Sequence, residues 1–250
     1  MATTQKVKGI LANAPVKLVV AQVRFERHPD IAESAFVTRF RELIGEEFTQ
    51  IEQAKVQQIT AGPLGVVTEM PESGWTLSTG DGVKISVLES SASLEVTQYS
   101  NWEAFRSKLD ILLRAVEEIV RPATEQRAGL RYIDELDTEE GVRAGWKGYV
   151  RGELLGPVLH PDFGAFITTT EQRVVLTYSD GSTCLLRHGF STASQLGGHY
   201  ILDTDIFRTT KGAYHGDSMR TAFDAFHSKA DEVFVGCLTS DFLEQLREGN

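Results

Sequence analysis

Cysteine is scarce in this chain: among 250 residues there are two, Cys184 and Cys237. That number excludes a disulfide framework, and no CxxC or Cys/His cluster provides a zinc motif. Cys184 lies in the apolar run CLL and Cys237 at the apolar end of a helical pattern, so both read as small buried hydrophobes. A disulfide between them is allowed, and nothing in the sequence requires one. Long apolar runs are missing too, since none approaches the ~20 residues of a membrane helix. The opening MATTQKVKGILANAPVKLVVAQ lacks the basic start, apolar core and cleavage site of a signal peptide, so a soluble, cytoplasmic protein is the expectation. Basic charge is in deficit, with 25 Lys and Arg against 35 Asp and Glu, for a net charge of -10. An acidic surface without a dense Lys/Arg run repels phosphate backbones, which disfavours nucleic acid as a partner. The sequence has no GxxxxGK[ST], no GxGxxG and no GxSxG, so phosphate-loop, dinucleotide and nucleophile-elbow chemistry have no anchor.

What is present is an ordinary globular balance, 41% hydrophobic and 24% charged, patterned in strands and helices. The clearest unit runs from Ser93 to Leu136. A strand, SLEVTQY, leads to a helix whose Trp102, Phe105, Leu109, Leu112, Val116 and Ile119 recur at three- and four-residue steps. Ser100 is its expected N-cap, with Glu103 in the capping-box position. Pro122 ends the helix, and GLRYI follows as a buried strand. Upstream, Lys17 to Phe25 reads as a central strand. It leads to a helix capped by Asp30, with Phe36, Phe40, Leu43, Ile44, Phe48 and Ile51 as its stripe. Between Lys55 and Tyr99 the turns at Gly62-Pro63, Pro71 to Gly74 and Gly80-Asp81-Gly82 divide antiparallel strands. In the second half four strands are predicted: Ala165–Thr170, Arg173–Tyr178, Thr183–Phe190 and His199–Phe207. A helix capped by Asp217 then carries Met219, Phe223, Phe226, Ala230, Val233 and Phe234. The fold class expected is α+β, with antiparallel sheets each covered by a long amphipathic helix in two layers. Two similar lobes are expected, 13–136 and 144–248, separated by the acidic loop at 137–143, and one continuous domain is the alternative.

Four stretches occur in an order and spacing that resemble a known family. They are NAPVKLVVAQVRF, the Trp102/Phe105 opening of the central helix, AGLRYID (128–134) and ILDTDIFR (201–208). Together they resemble a sporadically distributed bacterial family of conserved hypothetical proteins, over nearly the whole chain from Asn13. The resemblance implies a bacterial cytoplasmic protein and lends no activity, cofactor or catalytic residue.

Candidate chemistry comes from the residues alone. Asp203 and Asp205 alternate in a strand and so share a face, as a paired acid/base or a cation site requires. Arg208 follows them, and His188 and His199 lie on neighbouring predicted strands. The bland reading makes Asp203 and Asp205 a solvated face, or partners of Arg208 or Arg187. Arg131 and Asp134 sit in a strand that otherwise looks buried, where each charge needs a partner. Arg131 is either an anion-binding group or half of a structural ion pair, and Arg24 has the same two readings. His215, in a glycine-flanked loop, reads as a loop residue. The functional expectation is a non-enzymatic binding or accessory protein, for a protein partner or small ligand, without cofactor or metal; a homodimer is compatible with it. The alternatives are a metal-assisted or acid/base hydrolase centred on Asp203 and Asp205, and an antitoxin-like or defence-associated partner that masks a basic protein.

Overall fold

The computed structural model describes residues 14–56, 59–62, 65–68, 71–137, 139–191 and 199–248. The elements in chain order are β1 (Val16–Phe25), α1 (Ser34–Ile44), β2 (Gln50–Val56), β3 (Ile59–Gly62), β4 (Gly65–Thr68), β5 (Glu72–Ser78), β6 (Val83–Leu88) and β7 (Ser91–Val96). After these come α2 (Trp102–Ala115), β8 (Glu125–Leu136), α3 (Glu139–Arg143), α4 (Gly152–Leu155), β9 (Thr169–Thr177), β10 (Thr183–Ser191), β11 (Tyr200–Thr209), α5 (Gly216–Cys237) and α6 (Ser240–Glu248). The class is α+β. Nine strands form one antiparallel sheet in the order β2-β5-β6-β7-β1-β8-β11-β10-β9, while β3 and β4 make a separate hairpin. The sheet runs unbroken across the acidic 137–143 stretch, because β8 pairs with β1 on one side and β11 on the other.

Alternation along the strands sorts the sheet into two faces. One face carries Val19, Ala21, Val23 and Phe25 of β1 with Ala128, Leu130, Tyr132 and Leu136 of β8, all buried. Helix α2 packs against β7, α5 packs against β8 and β11, and α2 also meets α1 and α5. The stripe on α2 is Phe105, Leu109, Leu112 and Leu113, each 2% exposed or less. Burial of a side chain of that size stabilises by about 1.5–3 kcal/mol. Helix α2 ends in a π-turn over Val116–Val120, and Arg121, at φ 55°, closes it with an N–H bond to the Val116 carbonyl just before Pro122.

Several boundaries differ from those expected. The N-cap of α2 is Asn101, whose side chain accepts from the Ala104 N–H at 2.8 Å, so Ser100 stands outside the helix. Helix α1 starts after Glu33, with Asp30 inside a preceding 3-10 turn, and stops at Gly45, whose φ of 119° no helix continues through. Ile51 therefore belongs to β2 and not to the stripe. The two strands expected over 165–178 are one, β9, because Glu171 and Gln172 pair with Gly189 and His188 instead of turning. Gly189 is required there: a Cβ would lie 1.9 Å from the Thr170 carbonyl oxygen. Helix α5 begins after His215, so Asp217 lies in its first turn. The hairpin turns at Gly80-Asp81-Gly82 and Ser179 to Ser182 are where the sequence puts them. Cys184 and Cys237 are buried and free. The turn expected at Gly62-Pro63 lies partly outside the described residues, as does the loop over 192–198. Among the described residues no helix is long and apolar enough to cross a membrane.

Candidate functional site

Asp203 and Asp205 do share a face of β11, the one turned away from α5, and there they meet arginines. Arg131 donates from Nε and Nη2 to the two Asp203 oxygens at 2.7 and 2.8 Å, and Arg187 donates from Nη1 at 2.5 Å. Arg127 donates to both oxygens of Asp205 at 3.1 and 2.9 Å. Arg131 is thus an ion-pair partner, with its charge held by Asp203. Arg208 points to the opposite face, where Glu125 accepts from it at 2.7 and 2.8 Å. His188 is also on that face, 3% exposed, with Nδ1 2.8 Å from the Tyr200 hydroxyl, and burial lowers its pKa. His199 lies at the end of the sheet with Nδ1 3.5 Å from Glu135 and 3.4 Å from Asp137. The six residues singled out in the sequence occupy four separate places. A cleft centred on Asp203 and Asp205 does not assemble, because three arginines neutralise the two carboxylates and neither histidine reaches them.

The buried face of β8 carries a different constellation. Leu130, Tyr132, Asp134 and Leu136 alternate toward the helices, which places a carboxylate in an apolar row. The register sets Asp134 opposite Leu202 and Tyr132 opposite Thr204. Above them is a cavity of about 680 Å³. Its floor is Tyr132, Asp134 and Thr204; α5 contributes His227, Ala230, Asp231 and Phe234, and the start of α2 contributes Trp102 and Glu103. Tyr99, the Ala14–Val16 segment and Leu243 complete the lining.

The walls are held by specific contacts. Trp102 stacks on His227 with centroids 4.4 Å apart and planes 11° apart, and its Nε1 donates to Asp224 at 3.2 Å. Arg106 donates to the same Asp224 from Nε at 2.9 Å, so α2 is tied to α5 beside the cavity. The Tyr132 hydroxyl lies 3.0 Å from His227 Nδ1, and Tyr99 meets Tyr132 edge-on at 5.8 Å. Burial raises the Tyr132 pKa well above its ordinary value, so its hydroxyl keeps its proton beside the ring. His227 Nε2 lies 3.5 Å from Asp231. Desolvation lowers the His227 pKa, partly opposed by the Asp231 charge, so the ring is neutral.

Asp134 is 4% exposed, and among the described residues its side chain has no hydrogen-bond partner. Burial pushes its pKa up to about 7, with the Asp231 charge adding to the rise. A carboxyl held near neutrality in a cavity is chemically versatile: it can exchange a proton with a guest, accept a hydrogen bond or face a positive charge. Glu103 and Asp231 lie exposed at the mouth. Among the described residues no lysine or arginine lines the space.

No protein-family model matches the chain, and no curated protein is similar to it. The site therefore stands on its own geometry. Signals for it were in the sequence: Asp134 at a core-facing position, and His227 and Asp231 four residues apart beside the α5 stripe. Their convergence depends on long-range register, since Tyr132 and His227 are 95 residues apart and Trp102 and Asp224 are 122 apart.

Proposed function

We propose that this protein is a non-enzymatic binding protein whose ligand, a small molecule, occupies the cavity between β8, β11, α2 and α5. One observation carries the reading: a nearly buried carboxyl group, Asp134, faces an aromatic-lined space, and no described residue hydrogen-bonds to it. A ligand that hydrogen-bonds to this carboxyl binds the folded chain alone and so stabilises it by mass action. A space of this size is in the range that small ligands fill. The hydrolase reading loses its support with the pairing of Asp203 and Asp205 to arginines. The bacterial, cytoplasmic accessory role implied by the four motifs fits the proposal, which does not depend on it. Two lobes in two layers fit it as well, with α1 and α2 serving the first half of the sheet and α5 the second.

The test is a thermal-shift screen of small ligands of all charge types, repeated on Ala230→Leu. Ala230 lines the cavity and is 3% exposed, so two added branches reduce the space without touching Asp134. Binding that raises the melting temperature of the parent and is lost in a folded Ala230→Leu variant supports the reading. A parent that responds to no class of ligand, or a variant that binds unchanged, overturns it.

A further inference from the structure

Resting on the ligand-binding reading above, we infer that the cavity takes a protonated organic amine, its charged head at Asp134 and its apolar body against the aromatic wall. The lining sets the sign of the charge. Glu103, Asp134 and Asp231 supply carboxylates, and among the described residues no lysine or arginine of the lining opposes them. Arg106 and Lys17, close in sequence to lining residues, are engaged elsewhere. Arg106 binds Asp224 and Asp110, and Lys17 reaches Glu135 on the other face of β8. His227 adds no cation in the neutral range, because desolvation lowers its pKa. An anionic guest would meet three like charges in a space that screens them poorly. A neutral guest would leave Asp134 desolvated and without a counter-charge.

The lining also sets the kind of cation. A bare metal ion needs several oxygen or nitrogen ligands converging at about 2–2.5 Å. Among the described residues one cluster brings three such atoms within 4.8 Å of one another, and it is Glu135, Asp137 and His199, outside this cavity. The cavity is far larger than an ion, and aromatic rings of Tyr99, Trp102, Tyr132 and Phe234 line it. Ring faces attract an ammonium group and pack against a hydrocarbon body. Two exposed carboxylates at the mouth, Glu103 and Asp231, draw a cation inward. The arrangement is a funnel with an acidic rim, an aromatic wall and a carboxyl floor.

Binding then moves a proton. An amine that enters with its charge seats on the ionised form of Asp134, so the proton Asp134 holds at low pH must leave to solvent. The groups facing it are Asp231 and His227 from α5, Glu103 from the start of α2, Tyr99 beside it and Tyr132 from its own strand. The tyrosines keep their protons throughout the neutral range.

The test compares three probes of one shape by calorimetry on the full chain: phenethylamine, 2-phenylethanol and phenylacetate. Phenethylamine is expected to bind at least tenfold more tightly than either analogue at pH 8, and to lose more than tenfold in affinity at pH 5.5. Asp134→Asn is expected to lose the amine preference and its pH dependence while stacking contacts persist. Should Asp134→Asn not fold, Asp231→Asn at the exposed mouth is the second variant, with a smaller loss expected for the amine alone. If 2-phenylethanol or phenylacetate binds as well as the amine, the cationic assignment is overturned and the ligand-binding reading stands. If none of the three binds, the amine assignment is overturned, and the thermal-shift screen decides the ligand-binding reading separately.

Discussion

Replacing Asp134 by asparagine should change the stability of the protein in a pH-dependent way that few surface substitutions could imitate. Asp134 titrates at about 7 in the folded chain against an ordinary 3.8, because burial disfavours its charge and Asp231 adds repulsion. Between those two values the unfolded chain has released a proton that the native state still holds. Raising the pH through this window therefore favours unfolding, and the effect levels off above about pH 7. About three pH units at 1.36 kcal/mol each give a cost of about 4 kcal/mol at pH 8 that is absent below pH 4. Asparagine cannot ionise, so it removes that cost. Its amide takes over the surroundings of the neutral carboxyl, so whatever they cost is common to both proteins and does not depend on pH. The variant should thus gain about 4 kcal/mol over the parent between pH 4 and pH 8. Urea unfolding followed by tryptophan fluorescence at pH 4, 6, 7 and 8 measures the difference, and titrations shared by both proteins cancel in it. A difference between variant and parent that stays constant within about 1 kcal/mol from pH 4 to pH 8 would refute the reasoning, since Asp134 would then ionise as it does in water.

Two further outcomes follow from other parts of the sheet. Asp203→Asn leaves Arg131 and Arg187 facing each other across a site where Asp203 itself is 7% exposed. A loss of about 2–4 kcal/mol in urea unfolding is expected, discounted from a fully buried pair because both arginines are partly solvated; a loss below about 0.5 kcal/mol would mean the cluster is merely decorative. The thiols of Cys184 and Cys237 are pushed up to about 11 and about 12 by burial. Neither should react with a thiol reagent at pH 8 in the native protein, and both should react once it is unfolded; rapid native labelling of either would contradict their placement.

Periodicity carries far in this sequence, and then register takes over. The Ser93–Leu136 unit was legible because a 3.6-residue stripe between two alternating strands has few other meanings. Boundaries slipped where a single backbone angle or cap decides them: Gly45 ends α1 before Phe48 and Ile51, and Asn101 rather than Ser100 caps α2. The strand pair expected over 165–178 failed because the polar Glu171-Gln172 step resembles a turn, while in the sheet it is an edge paired to Gly189 and His188. The common face of Asp203 and Asp205 was readable from alternation. Their arginine partners were only partly so, because Arg131 lies 72 residues away and meets Asp203 through the β8–β11 register. Asp134 was visible as a charge in need of a partner in a buried strand. That its surroundings would be a cavity with Trp102, His227 and Asp231 follows from how α5 lies over β8, which no local pattern encodes.

The cavity wall begins at Ala14 and ends at Leu243, with the start of α2 and the length of α5 between them. Both halves of the chain build it, the first supplying Asp134 and Trp102 and the second His227 and Asp231. A guest there acts as a clasp on the whole molecule: the free energy of its binding opposes any opening that parts α2 from α5, whichever end of the chain lets go first. Occupancy would therefore slow amide exchange in both halves together, and an incompletely folded chain would have no weaker version of the site to offer.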